Sequence, residues 1–454
     1  MPSRLKFVAM SLLVTLGVAP MAFAACDNYQ CPEYAQADLE NMIGSIGRLT
    51  DQYTDVDRQL RFREKAHEVY LRDTVEQLRD PNHPAISIAA LLPGGMIGDI
   101  DTWPAYEQWQ GEGRVAPVRF RRSTGALIRG NAWRPPLDMA GPFPAISITP
   151  GSVQAPEPAY WWAAELLAEA GYVVLTFDAQ GQGRSETFGH NEDESINFDG
   201  FPFQQAINFH DLTVEALEFM LSTPSDPNPY AFAGDAAAGY DVSFPFWDDI
   251  QYLDDGFANV GLAGHSFGAS GVTFAQDPAH NTTNREHIRT IVAWDNLASE
   301  YTPTVPAMGQ NGESFTEPSF HYSRPDPEEK KDAFNVWRAA GVDTMQIAPR
   351  SATHLEWSYI PQLPLAASSW GQAIAAYYTL AWFDKYLSDD PGADARLLTD
   401  LYNQPANPNC GGKDDCYSIY FKSAYHFHDT GGTLHACDDI AHIADPAPCP
   451  ETDI

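Results

Sequence analysis

The chain has 454 residues, with 27 Lys and Arg against 61 Asp and Glu, a formal charge of −34. So negative a field repels phosphate backbones and anionic bilayers, which excludes nucleic acid and acidic membrane surfaces as partners. With 44% hydrophobic residues and 11 tryptophans the chain can build a substantial core, which excludes global disorder.

Taken in chain order, residues 1–24 read as a secretory signal peptide. Arg4 and Lys6 precede a mostly apolar run from Phe7 to Phe23, closed by the small-x-small site Ala22-Phe23-Ala24. A membrane span needs roughly 20 apolar residues, and Pro20 breaks this shorter run. A secreted or periplasmic protein is therefore expected. Residues 25–114 form an N-terminal extension, helical in texture from Ala37 to about Arg79, where charged residues abound and proline is absent.

The catalytic domain is expected over residues 115–390. Val115–Arg122 and Ala126–Trp133 read as strands joined at the tight turn Ser123-Thr124-Gly125. Strands and helices then alternate. Ala145–Thr149, Tyr172–Phe177, Val260–Ala263, Ile288–Trp294, Val305–Gln310 and Thr344–Ala348 are predicted strands. Ala159–Ala170, Gln204–Ser222, Lys331–Ala340 and Ser369–Leu387 are predicted helices. Apolar strands alternating with helices imply a mostly parallel, doubly wound sheet with helices on both faces. Residues 223–255, rich in Pro, Asp, Gly and aromatics, read as an inserted loop and a candidate lid.

The six cysteines lie at the two ends of the chain, as expected of an oxidising compartment. Proximity suggests Cys26–Cys31, Cys410–Cys416 and Cys437–Cys449, making residues 391–454 a disulfide-tied, Cys-rich appendage. His426, His428 and His435 lie nearby, but no paired C-x-x-C spacing accompanies them, so neither metal nor other cofactor is expected.

The chemistry centres on Gly264-His265-Ser266-Phe267-Gly268, which follows a predicted strand and precedes a run of small residues suited to a helix start. A nucleophilic serine needs such a sharp turn, and glycines on either side allow close backbone approach. Its base is expected to be His354, in the loop after Thr344–Ala348, where a doubly wound sheet gathers functional groups. His265 is expected to pack beneath the elbow. Two carboxylates could orient the base. Glu313 lies just after the predicted strand Val305–Gln310 and is favoured, because the loop between the last two strands usually carries the acid; Asp295, ending the preceding strand, is the alternative. The backbone N–H groups of Phe267 and of Ser152, in Thr149-Pro150-Gly151-Ser152-Val153, are the expected oxyanion donors. Asp178-Ala179-Gln180-Gly181-Gln182-Gly183-Arg184-Ser185 lacks phosphate-loop spacing and reads as a structural turn. Trp162, Trp294 and Trp357 lie beside these motifs and are candidate walls of a substrate pocket.

Across residues 115–390 these features resemble the α/β-hydrolase superfamily. Thr149-Pro150-Gly151, Trp161-Trp162 and Gly171-Tyr172-Val173-Val174-Leu175-Thr176-Phe177-Asp178 are similar to stretches of secreted bacterial polyesterases of the cutinase type. So is Trp294-Asp295, which stands where those enzymes carry a substrate-contacting tryptophan; on that alignment Glu313 falls at their triad aspartate. The Gly264–Gly268 elbow equally resembles platelet-activating-factor acetylhydrolases. The N-terminal extension and Cys-rich tail match neither group. The resemblance implies an α/β-hydrolase fold and a serine esterase acting on a small-molecule or polymeric ester, with Trp294 the only hint of a bulky one. An amidase or peptidase with the same triad, and a non-catalytic secreted binding protein on a hydrolase scaffold, are the alternatives.

Overall fold

A computed structural model describes residues 54–79, 97–152, 155–201, 204–314, 326–358, 369–398 and 416–440, with residues 39, 41–43 and 82. The expected signal peptide, and one or both cysteines of each suggested disulfide, lie outside these residues; none of the described cysteines is free.

The chain's apolar runs become the centre of a ten-stranded sheet. Its strands in chain order are β1 (Val115–Arg121), β2 (Leu127–Trp133), β3 (Ala145–Thr149), β4 (Val173–Phe177), β5 (Val260–His265), β6 (Ile288–Trp294), β7 (Ala307–Gln310), β8 (Thr344–Ile347), β9 (Ala424–His428) and β10 (Leu434–Cys437). They lie side by side as β1-β2-β4-β3-β5-β6-β7-β8-β9-β10. Pairing is parallel from β4 through β8, and antiparallel for β1 with β2, β2 with β4, β8 with β9 and β9 with β10. With only β2 reversed among the first eight strands, this is the α/β-hydrolase fold.

Every residue of β3, β4 and β5 is buried, because both faces are covered. Helices α2 (Trp103–Glu112), α3 (Trp161–Glu169) and α7 (Ser369–Leu387) pack one face, where Ile146, Ile148, Val174 and Trp294 point. Helices α4 (Ala206–Leu221), α5 (Phe267–Ala275) and α6 (Asp332–Ala339) pack the other, against Ala145, Val173, Leu175 and Ala293. The split follows from strand geometry, in which alternate side chains leave opposite faces.

Within the N-terminal extension, α1 (Val56–Arg79) is a 24-residue helix that buries Phe62, Ala66 and Val69. It is held to the loop before α2 by Arg58, which donates to Asp99 at 2.6 Å and Asp101 at 2.9 Å.

Two expectations need correcting. The catalytic sheet does not end near residue 390: β9 and β10, from the supposed appendage, extend it beyond β8. The 223–255 insertion does not spread over Ser266. Among the described residues, many of its hydrogen bonds run to Arg119 and Arg121 of β1 and to Phe143 before β3, and β1 stands four positions from β5. At its end, Asp255 pairs with Arg289 near the start of β6, the end of that strand away from the Ser266 turn.

The tightest constraint in this architecture lies where β5 turns into α5. A Cβ placed on Gly268 would meet the Thr149 carbonyl oxygen at 2.3 Å and that of Pro150 at 2.5 Å, both backbone atoms that cannot swing aside. Gly268→Ala is therefore expected to destabilise the fold by about 1–3 kcal/mol through overpacking. Urea unfolding should show the midpoint falling with the slope unchanged.

Candidate active site

Ser266 sits between the last residue of β5 and the first of α5, with φ +56° and ψ −118°. That conformation is costly for a residue with a Cβ and persists only where its surroundings enforce it. Here they do. A Cβ on Gly264 would lie 2.2 Å from the Gly268 carbonyl oxygen, so the two arms of the turn can approach this closely only with glycine at 264. The Ser266 N–H donates to the Trp294 carbonyl at 2.9 Å, pinning the turn to the end of β6.

The His354 ring lies over this turn. Its Nε2 is 3.0 Å from Ser266 Oγ, and its Nδ1 is 2.5 Å from Asp295 Oδ2. The carboxylate can only accept, so Nδ1 carries the proton and Nε2 is left to accept from the serine hydroxyl. Asp295 is fixed in turn, because its Oδ1 accepts from the Gly312 N–H at 3.0 Å and its own N–H donates to the Gln310 carbonyl at 2.7 Å. The His354 main chain is held by its N–H, which donates to Ser314 at 2.9 Å.

The carboxylate beside His354 thus belongs to Asp295, the alternative, and not to the favoured Glu313. The reason is strand order. Asp295 follows β6, the immediate neighbour of β5, so a short side chain reaches the histidine. Glu313 follows β7, one strand further away, and its N–H pairs with Ala352. Its buried carboxylate accepts from Asn41 at 3.3 Å.

Phe267 opens α5, where first-turn N–H groups have no intrahelical acceptor. No described residue accepts from the Phe267 or the Ser152 backbone N–H. Gly151 is different, since its N–H donates to Tyr160 Oη at 2.8 Å. Ser152 Oγ donates to Gln204 at 2.7 Å, which steadies this loop beside Ser266.

The three tryptophans are not placed as pocket walls. Trp294 and Trp357 are wholly buried, and Trp162 is 8% exposed. Their indole N–H groups donate inward, to Thr379 at 3.1 Å, Gln310 at 2.9 Å and the Trp357 carbonyl at 3.0 Å respectively. Nearness to a motif in sequence does not decide which face of the sheet a side chain takes, and these belong to the core.

The Asp178–Ser185 segment is a turn closed by Asp178, whose carboxylate accepts from the Glu157 N–H at 2.7 Å and the Arg184 N–H at 3.0 Å. His428 and His435 pair with Asp343 and Asp429. No cluster of three metal-ligating side chains occurs among the described residues.

His265 is buried directly beneath His354, their ring centroids 4.7 Å apart. Its Nε2 is 2.7 Å from the His354 carbonyl and its Nδ1 is 2.9 Å from Tyr160 Oη. Sequence pattern gave no sign of Tyr160, which reads as one more aromatic at a helix start.

No family model and no curated protein matches the chain. Among solved structures, a ferulic acid esterase from Streptomyces cinnamoneus is similar at TM-score 0.38 and 13% identity, over 65% of this chain and 93% of that one. A dienelactone hydrolase-like promiscuous phosphotriesterase from metagenomic libraries gives TM-score 0.38 and 14% identity, over 60% and 99%. A dienelactone hydrolase from Anabaena variabilis gives 0.33 and 15%, over 60% and 99%.

Burial holds the His265 imidazole well below the ordinary histidine range, and the neighbouring His354 ring pushes the same way. In the unfolded chain that ring would take up a proton near pH 6.5, whereas the folded one stays neutral. Below that pH the unfolded state therefore binds more protons, and acidification favours it. The group should cost up to about 1.4 kcal/mol of stability per pH unit below about 6.5. Urea titrations of the parent and His265→Gln at pH 7 and pH 5.5 should show the smaller loss in the variant.

Proposed function

We propose that this protein is an exported serine hydrolase that cleaves carboxylic esters through an acyl-enzyme. The observation that carries the proposal is the relay Ser266 Oγ–His354 Nε2 and His354 Nδ1–Asp295, built on a positive-φ turn at a helix N-terminus.

In the first half-reaction Ser266 Oγ forms a bond to the ester carbonyl carbon while His354 Nε2 takes the hydroxyl proton. Asp295 keeps the imidazole in the required tautomer and stabilises the imidazolium. The charge gathering on the carbonyl oxygen is met by the N–H groups of Phe267 and Ser152 and by the positive end of α5. Collapse breaks the ester C–O bond, and His354 passes its proton to the leaving alkoxide. Water then repeats the sequence on the acyl-serine, with His354 as base, and releases the acid. The substrate is read as a neutral or cationic ester, small or polymeric, because a chain of charge −34 repels anionic ones. Amide cleavage would use the same groups, and no feature of the site favours it.

Hydrolysis of a short and a long p-nitrophenyl ester tests the reading. Ser266→Ala should abolish turnover of whichever ester the parent cleaves. Asp295→Asn should lower kcat by about 10⁴, since it would favour the wrong histidine tautomer. Glu313→Gln should stay within about threefold of the parent, as expected of a group that does not touch the base. A larger loss for Glu313→Gln than for Asp295→Asn would reverse the assignment.

A further inference from the structure

Once Ser266, His354 and Asp295 have their roles, the buried histidine that stands in the elbow itself, His265, is left over. His265 is hydrogen-bonded at both ring nitrogens, and the direction of each bond is fixed by chemistry. The His354 carbonyl can only accept, so His265 Nε2 must carry the proton and donate. Nδ1 of the neutral ring is then an acceptor, and the Tyr160 hydroxyl donates to it at 2.9 Å. The Tyr160 oxygen accepts in turn from the Gly151 N–H at 2.8 Å. Gly151 N–H, Tyr160 O–H and His265 Nε2–H thus point one way, along a chain in which each bond polarises the next.

The two ends of this chain lie where the reaction is most sensitive to position. One end is the main chain of His354, the proposed base. The other is Gly151, whose successor Ser152 carries a proposed oxyanion donor. The parts are fitted closely, for a Cβ on Gly151 would lie 2.8 Å from His265 Nδ1 and 3.2 Å from the Ser266 Cβ. With the Gly151 N–H occupied by Tyr160, the Ser152 N–H is left as a free donor among the described residues of that loop.

We propose that Tyr160 and His265 are positioning residues of the hydrolytic reaction, a hydrogen-bonded strut that sets the distance between the base loop and the oxyanion loop. The proposal rests on the reading of Ser266 and His354 as nucleophile and base. Neither strut residue touches substrate. Both act through main-chain atoms, so ground-state binding should be little affected while the step of charge development is slowed. A displacement of about 1 Å at such a site costs about a hundredfold in rate.

The experiment compares the parent with Tyr160→Phe, His265→Leu, His265→Gln and Ser266→Ala on a p-nitrophenyl ester that the parent cleaves. Tyr160→Phe and His265→Leu should lower kcat by about 10–100-fold, with KM within about threefold. His265→Gln should recover most of that loss, because one amide can accept from Tyr160 and donate to the His354 carbonyl. The proposal is overturned if Tyr160→Phe stays within twofold of the parent kcat, or if His265→Gln is as slow as His265→Leu. Should the leucine variant not fold, Tyr160→Phe, which removes one oxygen atom, decides alone. Ser266→Ala keeps the two readings apart. An active Ser266→Ala would sink the nucleophile assignment itself, whereas an inactive one beside an undiminished Tyr160→Phe would sink only the strut.

Discussion

The positive φ at Ser266 is the constraint on which the rest of the site depends. A residue with a side chain adopts that conformation only if the chain on both sides has no alternative. The sheet supplies the first half of this compulsion, because β5 is flanked by β3 and β6 and cannot shift along its axis. The glycines supply the second, since Gly264 and Gly268 lie too close to backbone carbonyls to carry a Cβ. Once the turn is forced, the serine hydroxyl stands clear of the sheet and α5 begins directly behind it.

Other groups are then brought in by strand order and not by sequence distance. Asp295 comes from the end of the adjacent strand, and His354 from a loop three strands away that folds back over the turn. The pairing of Ser314 with Thr353, and of Glu313 N–H with Ala352, continues the parallel ladder of β7 and β8 upward and carries His354 to its place. Beneath, Tyr160 and His265 fill the space between the two loops with directed hydrogen bonds and not with apolar packing alone.

Much of this was legible because it is written in local chemistry. The strand Val260–His265, the glycine-flanked serine and the small residues after it form one uninterrupted signal, and apolar runs without alternation announced a covered parallel sheet. The helix Ser369–Leu387 was readable to the residue. What was not legible depends on tertiary placement. Asp295 follows its strand by one residue and Glu313 by three, and only the order β5-β6-β7 decides between them. The strand Ala424–His428 carries two histidines and buries four of its five residues, so neither alternation nor an apolar run marks it. Trp294 ends a strand whose neighbours all look alike, and one position of register decides between the pocket and the core. Tyr160 has no local signature at all, since its partners stand 9 and 105 positions away.

The most direct test of the central claim is covalent. Treating the folded protein with a fluorophosphonate, a reagent that phosphonylates an activated serine, and locating the adduct by peptide mass spectrometry asks which hydroxyl this architecture has made nucleophilic. One adduct is expected, on Ser266, together with loss of ester hydrolysis in the labelled fraction. Labelling of a different residue, or full hydrolytic activity in protein labelled at Ser266, would contradict it.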